Sequence, residues 1–147
     1  MTDGEERELT GGCGCGAVRW KLSEPPLGAG YCHCTRCQRR TGSASSLSAL
    51  VPPGAMELTS GEDLVRCWKP DDGWAKCFCG ECGSAIYGHH PERTELVILR
   101  LGSFDEDPGV KIHFRQFTAS AAPWEPIPDD GLPRYEGRAP MTSPNGD

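Results

Sequence analysis

The sequence predicts a small, mainly β protein with antiparallel strands, one short helix and a proline-rich C-terminal arm. Gly 19 and Pro 13 together exceed a fifth of the 147 residues, so turns are frequent and apolar segments are short. These segments are separated by Gly or Pro, which favours strands. The length is typical of one domain. We expect that domain to cover residues 9–140, with flexible tails at 1–8 and 141–147.

Each predicted element is short. The strands are residues 17–22, 29–32, 46–51, 64–68, 85–87, 95–101 and 110–114, of which 95–101 (ELVILRL) has the length and apolarity of a buried strand. One helix is predicted over residues 35–40, with Thr35 as N-cap and Gly42 as the C-terminal stop. Residues 121–140 contain five prolines and predict an extended arm, held down by Trp124 and Tyr135.

Composition and charge limit the compartment and the partners. No run approaches the ~20 apolar residues of a membrane span, and the N-terminal residues lack an apolar signal region, so we expect a cytoplasmic protein. The formal net charge of −6 repels nucleic acid and anionic membranes, and we expect neither as a partner.

Nine cysteines in a reducing compartment indicate metal sites rather than disulfides. A redox dithiol is disfavoured because no βαβ pattern accompanies the C-x-x-C motifs.

The first and last cysteine motifs together predict a closed zinc site. Cys13 and Cys15 stand in GGCGCG, and Cys79 and Cys82 stand in FCGECG. Four thiolates are typical of structural zinc, and such a site contributes folding free energy on the order of 10 kcal/mol. The glycines permit tight turns, and Gly83 is free to adopt a positive φ. Cys77 leaves an alternative, because residues 77–82 repeat the C-x-C-x-x-C spacing of the central motif.

The central motif, YCHCTRC, predicts a zinc site with an open position. It supplies Cys32, Cys34 and Cys37 and no fourth cysteine, as in catalytic zinc sites, which bind water or substrate at the remaining position. Three thiolates make the metal a weak Lewis acid and a better host for a soft sulfur ligand. The alternative is a second structural zinc whose fourth ligand comes from Cys67, Cys77 or His33.

Charged side chains around the central motif suggest an anionic substrate. Arg36, Arg39 and Arg40 could fork onto the carboxylates of a thiol such as glutathione, although an ordinary solvated helix face would have the same composition. His113 lies in a strand-like segment and is a tentative proton donor. His89 and His90 precede Pro91 and are expected at an exposed turn.

Taken together, several motifs carry a family resemblance. The segments GGCGCGAVRW, YCHCTRCQRRTG, FCGECGSAIYG, LGSFD and GLPRY resemble the glutathione-dependent formaldehyde-activating family, which includes centromere-protein-V-like members. The resemblance covers residues 11–136. It implies a β-tent fold, a structural zinc on Cys13, Cys15, Cys79 and Cys82, and a catalytic zinc on Cys32, Cys34 and Cys37.

The resemblance further implies carbon–sulfur lyase chemistry. In that family a glutathione thiolate adds reversibly to formaldehyde and gives S-(hydroxymethyl)glutathione, so a small thiol and an aldehyde are the expected partners and two zinc ions per chain the cofactors. A homodimer is left open. The competing hypothesis is a non-catalytic, zinc-stabilised binding module in which both zincs are structural.

Overall fold

The computed structural model describes residues 8–140, and within that range it contains ten β strands and one α helix. The elements, in chain order, are β1 Leu9–Gly12, β2 Arg19–Leu22, β3 Gly28–Cys32, α1 Thr35–Thr41, β4 Ser46–Leu50, β5 Met56–Ser60, β6 Val65–Trp68, β7 Ala75–Cys79, β8 Ala85–His89, β9 Val97–Arg100 and β10 Ile112–Gln116. The predicted tails fall almost wholly on residues 1–7 and 141–147, which lie outside the described residues. No helix within residues 8–140 is long and apolar enough to cross a membrane.

The strands form two sheets. The small sheet has the order β1-β2-β5, and the large sheet has the order β10-β3-β4-β9-β8-β7-β6. The mainly β class with a single α helix is confirmed. The predicted antiparallel pairing holds for every strand pair among the described residues except one, since β10 pairs parallel to β3 at one edge of the large sheet. The cause is topological, because the chain leaves β9 in the middle of the large sheet and returns to its edge beside β3.

Residues of both sheets share one core. Trp20 and Leu22 from the small sheet and Ile86 and Leu99 from the large sheet are almost fully buried, and they belong to one hydrophobic cluster. The Trp20 ring meets the edge of Phe104 at a centroid distance of 4.7 Å. Cys13 and Cys79 are members of the same cluster, so the first cysteine motif and the third are anchored in the core.

Three strands were missed by the sequence analysis. Strand β1 (LTGG) is half glycine, and β5 (MELTS) is mostly polar, so neither has an apolar signal. Strand β7 (AKCFC) was interpreted only as a metal motif, although its burial alternates residue by residue along the strand. Paired with β6 and β8, β7 carries Cys79 of the predicted closed site and Cys77, which the sequence left as an alternative ligand.

The N-cap of the helix lies one residue before the predicted one. Cys34, not Thr35, is the N-cap, because its Sγ accepts the backbone N–H of Cys37 at 3.3 Å. At the other end Gly42 adopts φ 67°, and its N–H bonds to the carbonyl of Gln38, as predicted for the C-terminal stop. A predicted metal ligand therefore also caps the helix.

The C-terminal arm has no strand between residues 121 and 140, in agreement with its prolines. It lies beside β10, where the Arg115 N–H donates to the Pro133 carbonyl and the Tyr135 N–H donates to the Arg115 carbonyl. Tyr135 packs against the Phe114 ring, with centroids 6.5 Å apart. The predicted anchoring by Trp124 is wrong, since that side chain is 65% exposed.

A substitution at Gly30 tests the parallel edge of the large sheet. A Cβ atom at Gly30 would overlap the Phe114 ring of β10, so Gly30→Ala is expected to destabilise the protein by about 1–3 kcal/mol. Denaturant unfolding of the metal-loaded protein measures this loss. Gly102→Ala is the matched control, because a Cβ there meets nothing within 4 Å. Equal stability of the two variants would contradict the described packing of β10.

Candidate metal centres

The first sulfur group joins two distant parts of the chain. The Sγ atoms of Cys13, Cys15, Cys79 and Cys82 all lie within 4.8 Å of one another. Neighbouring sulfurs are 3.6 Å apart for Cys13–Cys15 and 3.9 Å apart for Cys15–Cys79. Four sulfurs that each lie about 2.3 Å from a tetrahedral zinc ion are separated by about this distance. The four residues therefore fit a zinc ion.

Tight turns position these sulfurs. Gly16 ends the first turn with φ 82°, and Gly83 has the predicted positive φ, at 81°. The backbone N–H of Gly14 donates to Ser84 Oγ at 2.9 Å, which ties the two turns together directly. Backbone N–H groups also donate to sulfur, from Val18 to Cys13 Sγ at 3.3 Å and from Glu81 to Cys79 Sγ at 3.3 Å.

Such donors favour thiolates, which are the metal-binding form of cysteine. Hydrogen bonds from the Ser84 side chain and backbone, with a further one from Cys15, lower the pKa of Cys82 to about 5. Burial opposes the ionisation of Cys13, but the Val18 N–H and the neighbouring thiols outweigh it, and the pKa of Cys13 is lowered. At Cys15 a hydrogen bond from the Ala17 backbone favours the thiolate, but the neighbouring thiols and burial outweigh it and raise the pKa of Cys15 to about 11. Ionisation of all four thiols would therefore require a cation.

The second sulfur group is built by the end of β3 and the start of α1. Cys32 is the last residue of β3, Cys34 caps the helix, and Cys37 lies buried in its first turn. Their sulfurs lie within 4.8 Å of one another. The neighbouring thiols of Cys32 and Cys37 lower the pKa of Cys34 to about 2, and the same interactions raise the pKa of Cys32. The group therefore favours one thiolate and opposes the ionisation of a second thiol. A bound divalent cation would remove this opposition, because its charge stabilises further thiolates.

No fourth ligand completes this group among residues 8–140, where no other cysteine, histidine or acidic side chain lies within that distance of all three sulfurs. The suggested fourth ligands lie elsewhere. Cys67 and Cys77 are joined by a disulfide between β6 and β7, so the expectation of metal rather than disulfides does not hold for this pair. The Nε2 atom of His33 faces the Arg115 guanidinium at 3.1 Å. Three sulfurs with an open side fit a zinc ion that keeps one position for a further ligand.

A cavity of about 250 Å³ lies over the helix, lined by Arg36, Arg39, Arg40 and Trp68. The Arg36 guanidinium lies 5.5 Å from the centre of the Trp68 ring and bonds to Asp72 at 2.8 Å. The Arg40 guanidinium lies 5.4 Å from the centre of the Phe78 ring, while Arg39 is exposed. The structure thus brings the predicted arginines together with two aromatic side chains that the sequence analysis did not single out.

Arg40 is half-buried, and its environment is unusual for a cation. Burial and the charge of Arg100 lower the pKa of Arg40, and Cys37 acts in the opposite direction. Its Nε atom is buried and has no hydrogen-bond partner among the described residues. Stacking on Phe78 holds the side chain in place. Arg40 therefore has hydrogen-bonding capacity to spare.

Lys76 is a cation that the sequence analysis missed. It lies on β7 opposite Trp68 and is half-buried. Burial lowers its pKa, while the nearby charges of Cys37 and Cys34 raise it. Lys76 thus adds positive charge beside the second sulfur group. Interpreting AKCFC as a strand would have placed Lys76 and Phe78 on one face, because alternate residues of a strand share a face, but it would not have predicted their burial.

Behind the second sulfur group lies a buried polar network. Arg115 on β10 is 7% exposed, lies over the Tyr31 ring at 3.9 Å, and binds Asp130 of the arm through two nitrogens, at 3.0 and 2.9 Å. Its third nitrogen faces His33, which is 3% exposed. Burial, followed by the Arg115 charge, lowers the pKa of His33. This network fixes the turn between Cys32 and Cys34.

The remaining histidines are placed differently from the sequence predictions. His113 lies on β10, where Gln116 rather than His113 is paired with Cys32. A separation of three residues along a strand corresponds to roughly 10 Å, so His113 does not reach the sulfurs directly. His89 is the last residue of β8 and His90 packs on Trp74 at 5.5 Å. The turn after His89 is present, since His90 Nδ1 accepts the backbone N–H groups of Glu92 and Arg93. The expected exposure is wrong, because both histidines are half-buried.

Comparisons with known proteins agree with this arrangement. A curated Halomonas elongata protein, described provisionally as a glutathione-dependent formaldehyde-activating enzyme, is 27% identical over 114 residues, which cover 71% of this chain and 73% of that protein. A crystal structure of a Rhodobacter sphaeroides protein has a similar fold, with a TM-score of 0.56 at 20% identity over 70% of this chain and 98% of the other. The family model described as glutathione-dependent formaldehyde-activating enzyme matches residues 8–120, and the chain belongs to this family.

Proposed function

We propose that this protein is a zinc-dependent carbon–sulfur lyase that forms or cleaves S-(hydroxymethyl)glutathione, or the adduct of a related thiol, from the thiol and formaldehyde. The observation that carries the proposal is the adjacency of the open three-sulfur group to the arginine-lined cavity. The family name supports the pairing of glutathione with formaldehyde. Two zinc ions per chain are proposed, a structural one in the first sulfur group and a catalytic one in the second.

The second sulfur group is proposed to bind the reacting thiol. A zinc ion held by Cys32, Cys34 and Cys37 would supply an open coordination position that stabilises a substrate thiolate at neutral pH. The surrounding cations Arg40 and Lys76 favour an anionic ligand at the same place. Catalysis then depends mainly on the thiolate fraction and its orientation, because formaldehyde itself offers little to bind.

The arginines are proposed to hold the carboxylates of the thiol. Arg36 is fixed by Trp68 and Asp72, and Arg40 by Phe78, so both guanidinium groups are ordered before a ligand binds. Ordered guanidinium groups lose little entropy when they fork onto a carboxylate. Arg39 is exposed at the mouth of the cavity and is suited to attract the anion.

Proton transfer to the hydroxymethyl oxygen is proposed to pass through water. His113 remains the proposed donor, and its roughly 10 Å separation along β10 requires intervening water. The proposed location is the cytoplasm, where glutathione and the reduced cysteine ligands are both maintained. Neither nucleic acid nor a membrane is proposed as a partner.

Exchange spectroscopy tests the proposed activity directly. Zinc-loaded protein should accelerate the exchange between free formaldehyde and S-(hydroxymethyl)glutathione in an equilibrium mixture with glutathione. X-ray absorption at the zinc edge should show an average of fewer than four sulfurs per zinc, with a lighter ligand that glutathione replaces. Unchanged exchange rates together with four sulfurs at both metals would favour the binding module with two structural zincs.

Substitution of one cysteine from each sulfur group should separate their roles. Cys34→Ser is expected to lose one zinc per chain and the exchange activity while the β fold is retained, because the second group lies at the end of one strand. Cys79→Ser should lose the other zinc and unfold, since Cys79 is 0% exposed within the core. Zinc analysis and circular dichroism measure both outcomes. A folded, fully active Cys34→Ser protein would contradict the assignment.

Substitution of the fixed arginines should weaken thiol binding. Arg36→Gln and Arg40→Gln are each expected to raise KM for glutathione about tenfold or more, because a hydrogen bond to a charged group is worth about 1.5–3 kcal/mol. Steady-state kinetics with glutathione, compared with a thiol that lacks carboxylates, isolates the effect. Arg93→Gln is the control, since Arg93 pairs with Glu95 outside the cavity. Equal losses for both thiols would argue against carboxylate binding.

A further inference from the structure

Two cysteines belong to neither sulfur group and form a third reactive site. Cys67 on β6 and Cys77 on β7 are direct cross-strand partners, with Cα atoms 4.1 Å apart, and they form a disulfide. A ring nitrogen of His89 lies within 4.8 Å of both sulfurs. His89 is on β8, beside β7, so three adjacent strands build this site.

The two sulfurs differ sharply in accessibility. Strand β6 is the edge of the large sheet, and Cys67 is exposed there, whereas Cys77 is 0% exposed. A thiol from solvent can therefore attack only the Cys67 sulfur. In thiol–disulfide exchange the sulfur that is not attacked departs, so Cys77 is the leaving group. This asymmetry sets a single direction of opening.

His89 places a ring nitrogen close to the disulfide. Its Nδ1 atom lies 3.0 Å from the carbonyl oxygen of His90. Because a carbonyl oxygen only accepts hydrogen bonds, Nδ1 carries the proton, and Nε2 of the neutral ring has a free lone pair. A neutral imidazole with a free lone pair can take a proton from an incoming thiol or return one to a departing sulfur.

The opposite face of the same strands borders the arginine cavity. Trp68 and Lys76 are cross-strand partners, next in sequence to Cys67 and Cys77, and successive residues of a strand point to opposite faces. The disulfide and the Trp68 ring, on which Arg36 stacks, therefore lie on opposite faces of the same two strands. A small anionic thiol attracted to this end of the molecule meets the disulfide on the other face.

We propose that the Cys67–Cys77 disulfide is a redox-active site that exchanges with low-molecular-weight thiols of the glutathione class, with Cys67 as the attacked sulfur, Cys77 as the leaving sulfur and His89 as the proton carrier. The site is distinct from the proposed lyase centre. Exchange at Cys67 does not require lyase activity.

The exchange is balanced in two steps. The thiol loses its proton, and its sulfur bonds to Cys67 Sγ while the Cys67–Cys77 bond breaks. The electron pair of that bond stays on Cys77, which takes up the proton. A second thiol then attacks the thiol-derived sulfur of the mixed disulfide and releases Cys67 as a thiol. The protein disulfide gains two electrons, and the two small thiols are oxidised to one symmetrical disulfide.

Peptide mapping at defined ratios of reduced to oxidised glutathione tests the proposal on the zinc-loaded full chain. Trypsin cleavage after Arg66 and Lys76 gives a peptide in which Cys67 is the only cysteine. We expect the disulfide to open reversibly as the ratio rises. In Cys77→Ser, which lacks the resolving sulfur, Cys67 should hold one glutathionyl group per chain in oxidised glutathione.

Two further variants separate the roles of the three residues. Cys67→Ser should take up no glutathionyl group at Cys77, because that sulfur is buried. His89→Gln should slow the opening about tenfold or more and leave the equilibrium ratio unchanged. Zinc content and circular dichroism verify the fold of each variant.

The opposite results would overturn the proposal. These are a disulfide that resists excess reduced glutathione, a Cys77→Ser protein without an adduct, or a His89→Gln protein that opens at the normal rate. A third zinc that binds on reduction and is lost in Cys67→Ser would identify a metal site instead. None of these readouts uses formaldehyde, so failure here and failure of the lyase proposal are distinguishable.

Discussion

The first sulfur group is the constraint on which the rest of the structure depends. It joins Cys15 to Cys79, which are 64 residues apart in sequence, and two of its members are part of the hydrophobic core. Four thiols whose sulfurs all lie within 4.8 Å of one another cannot all ionise readily without a cation, because like charges oppose each other. A cation that binds them therefore also fixes the small sheet to the large one, which couples metal binding to folding.

Strand β7 transmits this constraint to the candidate functional site. Its buried residues Cys77 and Cys79 belong to the disulfide and to the first sulfur group. On the other face of the strand, Phe78 lies under the Arg40 guanidinium of α1. The ring under Arg40 thus lies on a strand whose last residue, Cys79, belongs to the first sulfur group. Loss of the first group would displace the supports of Arg36 and Arg40 even with the second group intact.

The grouping of the cysteine sulfurs was predicted from the sequence more completely than the strands that carry them. Cysteine spacing and adjacent glycines identified two sulfur groups, because a tetrahedral ion demands close sulfurs and tight turns. Strand β1 was not predicted because LTGG has no apolar alternation. Its pairing with β2 is decided by tertiary contacts. The parallel pairing of β10 with β3 depends on a long connection that local patterns do not encode. Lys76 and Arg115 were missed for a related reason, because their burial is set by neighbouring strands and by the arm.

Charge balance around the second sulfur group favours an anionic ligand over a purely structural role. Three thiolates and one divalent cation leave a single net negative charge. The adjacent cations Arg36, Arg39, Arg40 and Lys76 outnumber that charge and the carboxylate of Asp72 together. Burial lowers the pKa of Arg40 and of Lys76, so the folded protein bears a cost for keeping them charged. A thiolate with two carboxylates would offset that cost, whereas a closed fourth protein ligand would leave the excess positive charge without a partner.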